Sequence, residues 1–459
     1  MARKLLILAA LAASALITAP AFAQTDPAVA KLRDAALKDD VAWNVVEGLT
    51  TEIGPRPDGS PQQARAREWA VAKLKGLGFR NVHIEPYQLD TWVRGLESGE
   101  VVSPYLQPLR LTALGNSGAT PPEGLTLPVV FFESFADLKA APEGSLKGKI
   151  AFVSNSMRPT MDGSSYGSQG QARRAGPAIA AKKGAAAIVI RSIGTDHGRG
   201  PHAGVTNFGD VTPIPAAALS VADAENLERM IKRGKPVTLH LLLTPQRVGM
   251  QDSGNVVAEV PGTDPAAGVI LIGGHLDSWD LGTGAIDDGA GVAITTAAAK
   301  LLMEAGKHRR TIRVVWFGDE ETGGFGGIAY AKAHVGERHA LAAESDFGAD
   351  RIWRFQTNLP DNAKVITDRL ATALDPLGVV RGANAAGDGT DVEPTMATGV
   401  ASVNLNQNGL RYFDWHHTPE DTLDRIEPEQ LRQNVAAWTV MLAILADAPE
   451  EIGPVPIQK

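Results

Sequence analysis

Two histidine-bearing stretches and three acidic ones carry residue types that bind metals and move protons. His275-Leu-Asp277 follows Val269-Ile-Leu-Ile272 and the pair Gly273-Gly274. The β-branched run reads as a buried parallel strand, so His275 and Asp277 should emerge at its carboxyl end, where open α/β sheets place their ligands. An aspartate two residues after a histidine is well placed to accept the proton on the second ring nitrogen, fixing the tautomer for metal binding. Alone, a histidine at a strand end is more often a hydrogen-bonded structural residue than a ligand. Asp287-Asp288 sits between Gly284-Ala-Ile286 and Gly289-Ala-Gly291, where a loop enters a helix, and in isolation reads as two capping carboxylates. Glu320-Glu321 lies in Gly318-Asp-Glu-Glu-Thr-Gly323-Gly324, just after a strand ending at Phe317, where the backbone can approach a ligand closely. Glu344-Ser-Asp346 precedes Phe347-Gly348, and His416-His417 opens the stretch that runs to Asp421-Thr422.

Taken together these groups supply two imidazole positions and several carboxylates, most of them just after strands or at helix starts. That is the inventory of a two-metal hydrolase. Imidazole and carboxylate suit Zn²⁺, and a shared carboxylate holds two ions about 3.5–4 Å apart. One carboxylate must stay unligated to take a proton from the activated water, and Glu320 and Glu321 could divide into those two roles.

The elements that must position these groups alternate. Residues 41–49 read as a helix ending at Ile53-Gly54-Pro55. A second helix starts at Ser60, with Pro61 at its first position and Gln63 completing a capping box. Residues 82–89 alternate as a strand. From 92 to 243 proline and glycine are frequent and the strand candidates are short: 129–132, 150–153, 187–190 and 237–243. One Ala-rich helix over 171–183 interrupts them. This predicts a compact β-rich domain inserted into another. His197 and His202 fall in its Gly-rich loop, 194–204, which reads as solvated, with a position over the catalytic cleft as the alternative. From Asn255 strands and helices alternate as in a doubly wound sheet: strands over 255–260, 269–272 and 311–317, helices over 289–303 and 428–446.

The 459 residues allow more than one domain, and 44% of them are hydrophobic. A formal charge of −8 without long basic blocks argues against nucleic acid as a partner. With no cysteine, thiolate ligands, a Cys nucleophile and disulfides are excluded, so a metal must sit on His, Asp and Glu. Arg3-Lys4, an apolar run over 5–17 and Ala21-Phe-Ala23 predict a signal peptide cleaved after Ala23 and a secreted or periplasmic mature chain. Loss of Arg3 and Lys4 takes the formal charge from −8 to −10.

The order His-x-Asp, Ile-Asp-Asp-Gly-x-Gly, Glu-Glu, Glu-Ser-Asp and His-His-x-x-x-Asp-Thr resembles the co-catalytic zinc exopeptidases, the family of glutamate carboxypeptidase II and the bacterial zinc aminopeptidases. Within it the carboxypeptidase Q-like branch (plasma glutamate carboxypeptidase) is the nearest match. Leu146-Lys-Gly-Lys-Ile150 and Ala180-Ala-Lys-Lys-Gly184 are similar to a protease-associated domain. The resemblance implies an α/β zinc-exopeptidase sheet flanked by helices, built from 24–91 and 248–459, with the protease-associated insert at 92–247. It implies two Zn²⁺, one on His275 and Asp346, the other on Glu321 and His417, with Asp287 bridging. Glu320 becomes the general base and later proton donor, and Asp277 the partner of His275. His416 stands where several relatives have the tyrosine that donates to the oxyanion, and Asp391 lies near the substrate.

The activity implied is hydrolysis of small peptides, dipeptides with free ends foremost. An aminopeptidase on longer peptides would use the same catalytic residues. A binding protein on an inactive peptidase scaffold is the reading from another class, and the complete set of ligands and base counts against it. A homodimer accords with the family. An all N/O site would also accept cobalt or manganese.

Overall fold

The computed structural model describes residues 25–387 and 389–457; the expected signal peptide and Asp388 lie outside them. β1 (Arg80–Val93) opens the first sheet. β2 (Glu97–Ser103), β3 (Gln107–Leu109), β4 (Leu111–Ala113), β5 (Leu125–Phe132), β6 (Ile150–Val153), β7 (Ala187–Arg191), β8 (Ala216–Leu219) and β9 (Thr238–Leu243) form the second. The chain then returns to the first sheet through β10 (Gln246–Val260), β11 (Val269–His275), β12 (Ile312–Phe317), β13 (His339–Glu344), β14 (Ile352–Asn358), β15 (Val380–Arg381) and β16 (Ala401–Gln407).

The first sheet is ordered β1-β10-β12-β11-β13-β16-β14-β15. Its four central strands, β12, β11, β13 and β16, are parallel, so their carboxyl ends share one edge. The doubly wound expectation needs correction at the flanks: β10 runs antiparallel to β12, β1 to β10, and β14 to β16. The physical reason lies in the connections. β1 and β10 are the two ends of the chain that leaves for the second sheet and comes back, and neighbours joined that way pair antiparallel, whereas parallel partners need a crossover.

Both faces of the central strands are covered, which is why they read as unbroken apolar runs. Ile270, Ile272, Val314 and Trp316 face the helices Ala290–Ala305 and Pro428–Ala446. Leu271, Val315 and Phe317 face Tyr330 and Val392 on the other side. Each such aliphatic side chain contributes about 1.5–3 kcal/mol by leaving water, so the strand ends that carry the chemistry are rigidly held.

The helix Pro61–Gly76 starts as expected, with Ser60 Oγ accepting the Gln63 amide at 3.1 Å. The reciprocal half of the capping box is absent. Gln63 is fully buried and its side chain instead donates to Asp319 Oδ1 (2.7 Å) and accepts from Arg67 and Ser253. In the box the Gln63 oxygen would accept the Ser60 amide; here that oxygen takes the charged Arg67 donor and the Ser253 hydroxyl instead.

The second sheet is ordered β3-β2-β9-β5-β6-β7-β8-β4, with β5 to β8 parallel. The single helix expected over 171–183 is broken into Gln171–Arg174 and Gly176–Lys182. Pro177 explains the break: it lacks an amide and its ring clashes with the carbonyl four residues earlier. No helix of the described residues is long and apolar enough to cross a membrane.

Candidate metal centre

His275 is the last residue of β11 and is fully buried. Gly274 before it has no room for a side chain, since a Cβ there would fall 2.1 Å from Asp288 Oδ2. Nδ1 of His275 lies 3.5 Å from Asp277 Oδ1 and 3.1 Å from the Asp277 carbonyl. The ring is therefore gripped from behind, leaving Nε2 to face forward. The same Asp277 carboxylate accepts the Glu320 amide on Oδ1 and the Glu321 amide on Oδ2, each at 3.2 Å. Burial works to raise this carboxyl, but His275 and the Glu321 amide bring it down to about 2.

Asp287 stands at the middle of the cluster. Its Oδ1 is 3.2 Å from His275 Nε2, while its Oδ2 is 3.1 Å from His417 Nε2 and 3.4 Å from His416 Nε2. Asp346 approaches on the first side, 3.7 Å from His275 Nε2, and Glu321 on the second, 3.0 Å from His417 Nε2. Asp288 has a different use: its oxygens accept the amides of His275 and Gly291 at 3.1 and 3.0 Å, which ties the strand end to the helix start.

Two residues that sequence reasoning missed hold the Asp287 loop. Arg56, fully buried, donates to the carbonyls of Leu276, Thr283 (2.6 Å) and Gly284 (2.9 Å), bridging the stretch between His275 and Asp287. Asp421 accepts both the Ala285 and Ile286 amides at 2.7 Å. Burial and the nearby Asp287 push the Asp421 carboxyl up to about 7. Asp421 was visible within the His-His motif, whereas Arg56, between two prolines, carried no periodic signal.

His416 and His417 stack with ring centroids 3.5 Å apart, yet they differ electrostatically. Burial works against a charged His417, but Glu321 and Asp287 outweigh it and hold its pKa well above the usual range. Burial and the neighbouring His417 hold His416 well below it. His416 is enclosed by the rings of Tyr166, Tyr412 and Phe413, at 5.0–5.3 Å.

The Gly-rich loop is solvated only over residues 197–199. Its His202 is buried and bonded to Asp196 Oδ1 at 2.8 Å, while His197 stays exposed. Ala203 donates its amide to the His417 carbonyl (2.8 Å), and Thr195 Oγ1 donates to Asp414 (2.6 Å). The loop thus packs against the site from the second sheet. Apolar packing and main-chain pairing there outweigh the hydration that its glycine content suggested.

Asp277, Asp287, Asp346 and Glu321 lie within ion-pair distance of the histidines, and Glu320, like Asp288, forms no such pair among the described residues. Burial, together with Asp346 and Glu321, pushes the Glu320 carboxyl well above the usual range. Asp391 is fully buried; its amide donates to Glu344 Oε2 at 2.9 Å, and neither carboxylate oxygen has a partner. Beside Glu344, Asp346 and Thr390 lies a cleft of about 460 Å³, lined also by Tyr166 and Phe347.

The residues fit a dinuclear cation site. Asp287 Oδ2, Glu321 Oε1 and Asp346 Oδ1 are buried oxygens without a hydrogen bond, clustered around two imidazoles. His275, Asp287 and Glu321 bring one ligand atom each within 4.8 Å of one another, and so do Asp287, His416 and His417. Buried carboxylates are stable in such a place only when paired or bound to cations.

Comparison with known proteins agrees with this geometry. Residues 255–442 match the model of peptidase family M28. Carboxypeptidase Q of Bos taurus is 35% identical over 407 residues, 88% of this chain and 84% of its own. The crystal structure of a peptidase M28 precursor from Shewanella amazonensis superposes with a TM-score of 0.92 at 46% identity, covering 94% of this chain and 98% of the other. The aminopeptidase of Aneurinibacillus sp. strain AM-1 shares the fold, with a TM-score of 0.63 at 22% identity over 94% of this chain and 98% of its own. With its carboxylates and histidines gathered at the parallel edge of the sheet, this chain is a metallo-exopeptidase of peptidase family M28, homologous to carboxypeptidase Q.

Proposed function

We propose that this chain holds two zinc ions and hydrolyses small peptides, unblocked dipeptides first among them. The observation that carries the reading is the division of Asp287, one oxygen toward His275 and the other toward His417. In this reading His275 and Asp346 hold one ion, His417 and Glu321 the other, and Asp287 both. When bound, the pair supplies a lowered pKa for water between the ions and a polarised scissile carbonyl.

The chain's own residues do the rest. Glu320, held by its amide on Asp277 and left off the ligand set, takes the proton from water and delivers it to the leaving amine. Asp277 fixes the tautomer of His275 and the path of the Glu320-Glu321 backbone at once. His416, kept neutral in its aromatic enclosure, has an unpartnered Nδ1 and is the candidate donor to the tetrahedral oxyanion. Asp391 backs the substrate side beside the cleft. That cleft suits a short peptide.

The second sheet is read as a protease-associated domain, the mature enzyme as exported after Ala23, and its assembly as a homodimer. Hydrolysis of a dipeptide panel tests the central assignment, with free, N-blocked and C-amidated versions, added zinc or a chelator. Zinc-dependent cleavage lost on blocking either end is expected. Cleavage that survives C-amidation and extension points instead to an aminopeptidase, and no cleavage despite bound zinc sinks the small-peptide reading.

A further inference from the structure

Arg173 lies outside every motif and has no place in the chemistry above. It sits on the short helix Gln171–Arg174 of the second sheet's segment and is 4% exposed. Nη2 donates to the Tyr166 hydroxyl at 2.6 Å, and Nη1 donates to the Ala203 carbonyl at 3.3 Å. Nη1 also stands 3.4 Å from Nδ1 of His417, and Nε has no partner. None of these partners is a carboxylate. Arg310, equally buried, spends its donors on the carbonyls of Ala267, Leu445, Ala448 and Glu450 and so closes a helix end. Arg173 instead faces an imidazole.

The Ala203 carbonyl is the meeting point. It lies 3.3 Å from Nδ1 of His417, while the Ala203 amide holds the His417 carbonyl at 2.8 Å. With Nε2 given to a metal, as the reading above has it, the ring proton stands on Nδ1, which faces the Ala203 carbonyl. Arg173 donates to the same oxygen and fixes where it stands. Gly204 lets the chain lie flat on the guanidinium: its φ is +134°, and a Cβ there would fall 2.3 Å from the Arg173 side chain.

We propose that Arg173 is a positioning residue for His417, and that through it the second sheet sets how tightly the centre holds its metal on the His417–Glu321 side. The proposal rests on the reading of His417 as a metal ligand. Outer partners that fix a ligating histidine are worth roughly 10–100-fold in metal affinity. The charge of Arg173 acts in the opposite sense, since a cation beside the site repels another. The direction of the change on removing it therefore separates positioning from charge.

The experiment is zinc counting after dialysis of the full mature protein against graded zinc buffers, for wild type, Arg173→Met, Arg173→Lys and Gly204→Ala. Wild type is expected to hold two ions. Arg173→Met should hold one as wild type does and lose roughly 10–100-fold at the other. Arg173→Lys keeps the charge without the fork and should fall between. Gly204→Ala displaces the guanidinium without removing it and should weaken the same site, which keeps the test decisive if Arg173→Met fails to fold. Equal or tighter binding of both ions in the folded Arg173 variants, or in Gly204→Ala, overturns the proposal. Failure of wild type to bind two ions overturns the dinuclear reading instead.

Discussion

Asp277 faces His275 at 3.5 Å, carboxylate oxygen to Nδ1, and the two oxygens of the same carboxylate accept the amides of Glu320 and Glu321. One side chain therefore sets both the ring of one proposed ligand and the backbone of the proposed base and its neighbour. Asp277→Asn keeps the volume, but one oxygen becomes an NH₂ that cannot accept an amide. It should lower zinc affinity and kcat/KM by roughly 10–100-fold each. Zinc titration and steady-state kinetics on the same preparation check this; a change in kinetics alone would mean the carboxylate acts on the Glu320 side only.

Glu320→Gln should leave zinc content unchanged and lower kcat by roughly 10²–10⁴-fold, because the base is lost while the proposed ligands His275, Asp287, Glu321, Asp346 and His417 remain. Metal analysis beside turnover is the measurement. Loss of zinc together with turnover would place Glu320 among the ligands.

Arg56→Met removes the donors that satisfy the carbonyls of Leu276, Thr283 and Gly284 in a fully buried loop. Stranded carbonyls cost about 1–3 kcal/mol each where water cannot replace the donor. A drop in the urea midpoint, larger than that of a surface arginine variant such as Arg65→Met, is expected. Zinc affinity should fall with it, since the loop delivers Asp287.

Acid should weaken the fold through Glu337. Burial works to raise this carboxyl, but bidentate pairing with Arg313, at 2.6 and 2.9 Å, and the contact with His334 bring it from 4.5 to about 2. A depressed folded-state pKa gives stability that is present above the unfolded value of 4.5 and is lost as pH falls toward 2. The side chain is about a third exposed, so solvent screens part of the effect. Urea midpoints at about pH 5 and about pH 3 should fall more for wild type than for Glu337→Gln. Equal slopes would leave the pair without thermodynamic weight.

The site was legible where chemistry restricts residue type. His275, Asp287, Glu321 and Asp346 stand at strand ends or a helix start and His417 just past a short helix, and the structure gathers them within a few ångströms. The strands of the central sheet were legible because burial on both faces leaves unbroken apolar runs. What escaped were contacts with no local signature. His417 and Ala203 are 214 residues apart, and His417 and Arg173 are 244 apart, so nothing in either neighbourhood announces the other. Gln63 was misread for a related reason: a capping pattern is local, and the buried Ser253 that claims its side-chain oxygen is not. The antiparallel flanks depended on where a long excursion begins and ends, which periodicity does not encode.

That excursion leaves the first sheet at Val93 and re-enters it at Gln246, and the two residues are paired neighbours on adjacent strands. Cutting out everything between them would leave two strand ends a tight hairpin turn apart, with the ladder below them intact. Topologically, then, the peptidase sheet is complete without its guest. Yet Tyr166, Arg173 and Ala203 would depart together. On the proposal made for Arg173, a single deletion would keep the strand ladder in register and take away the contacts that hold His417.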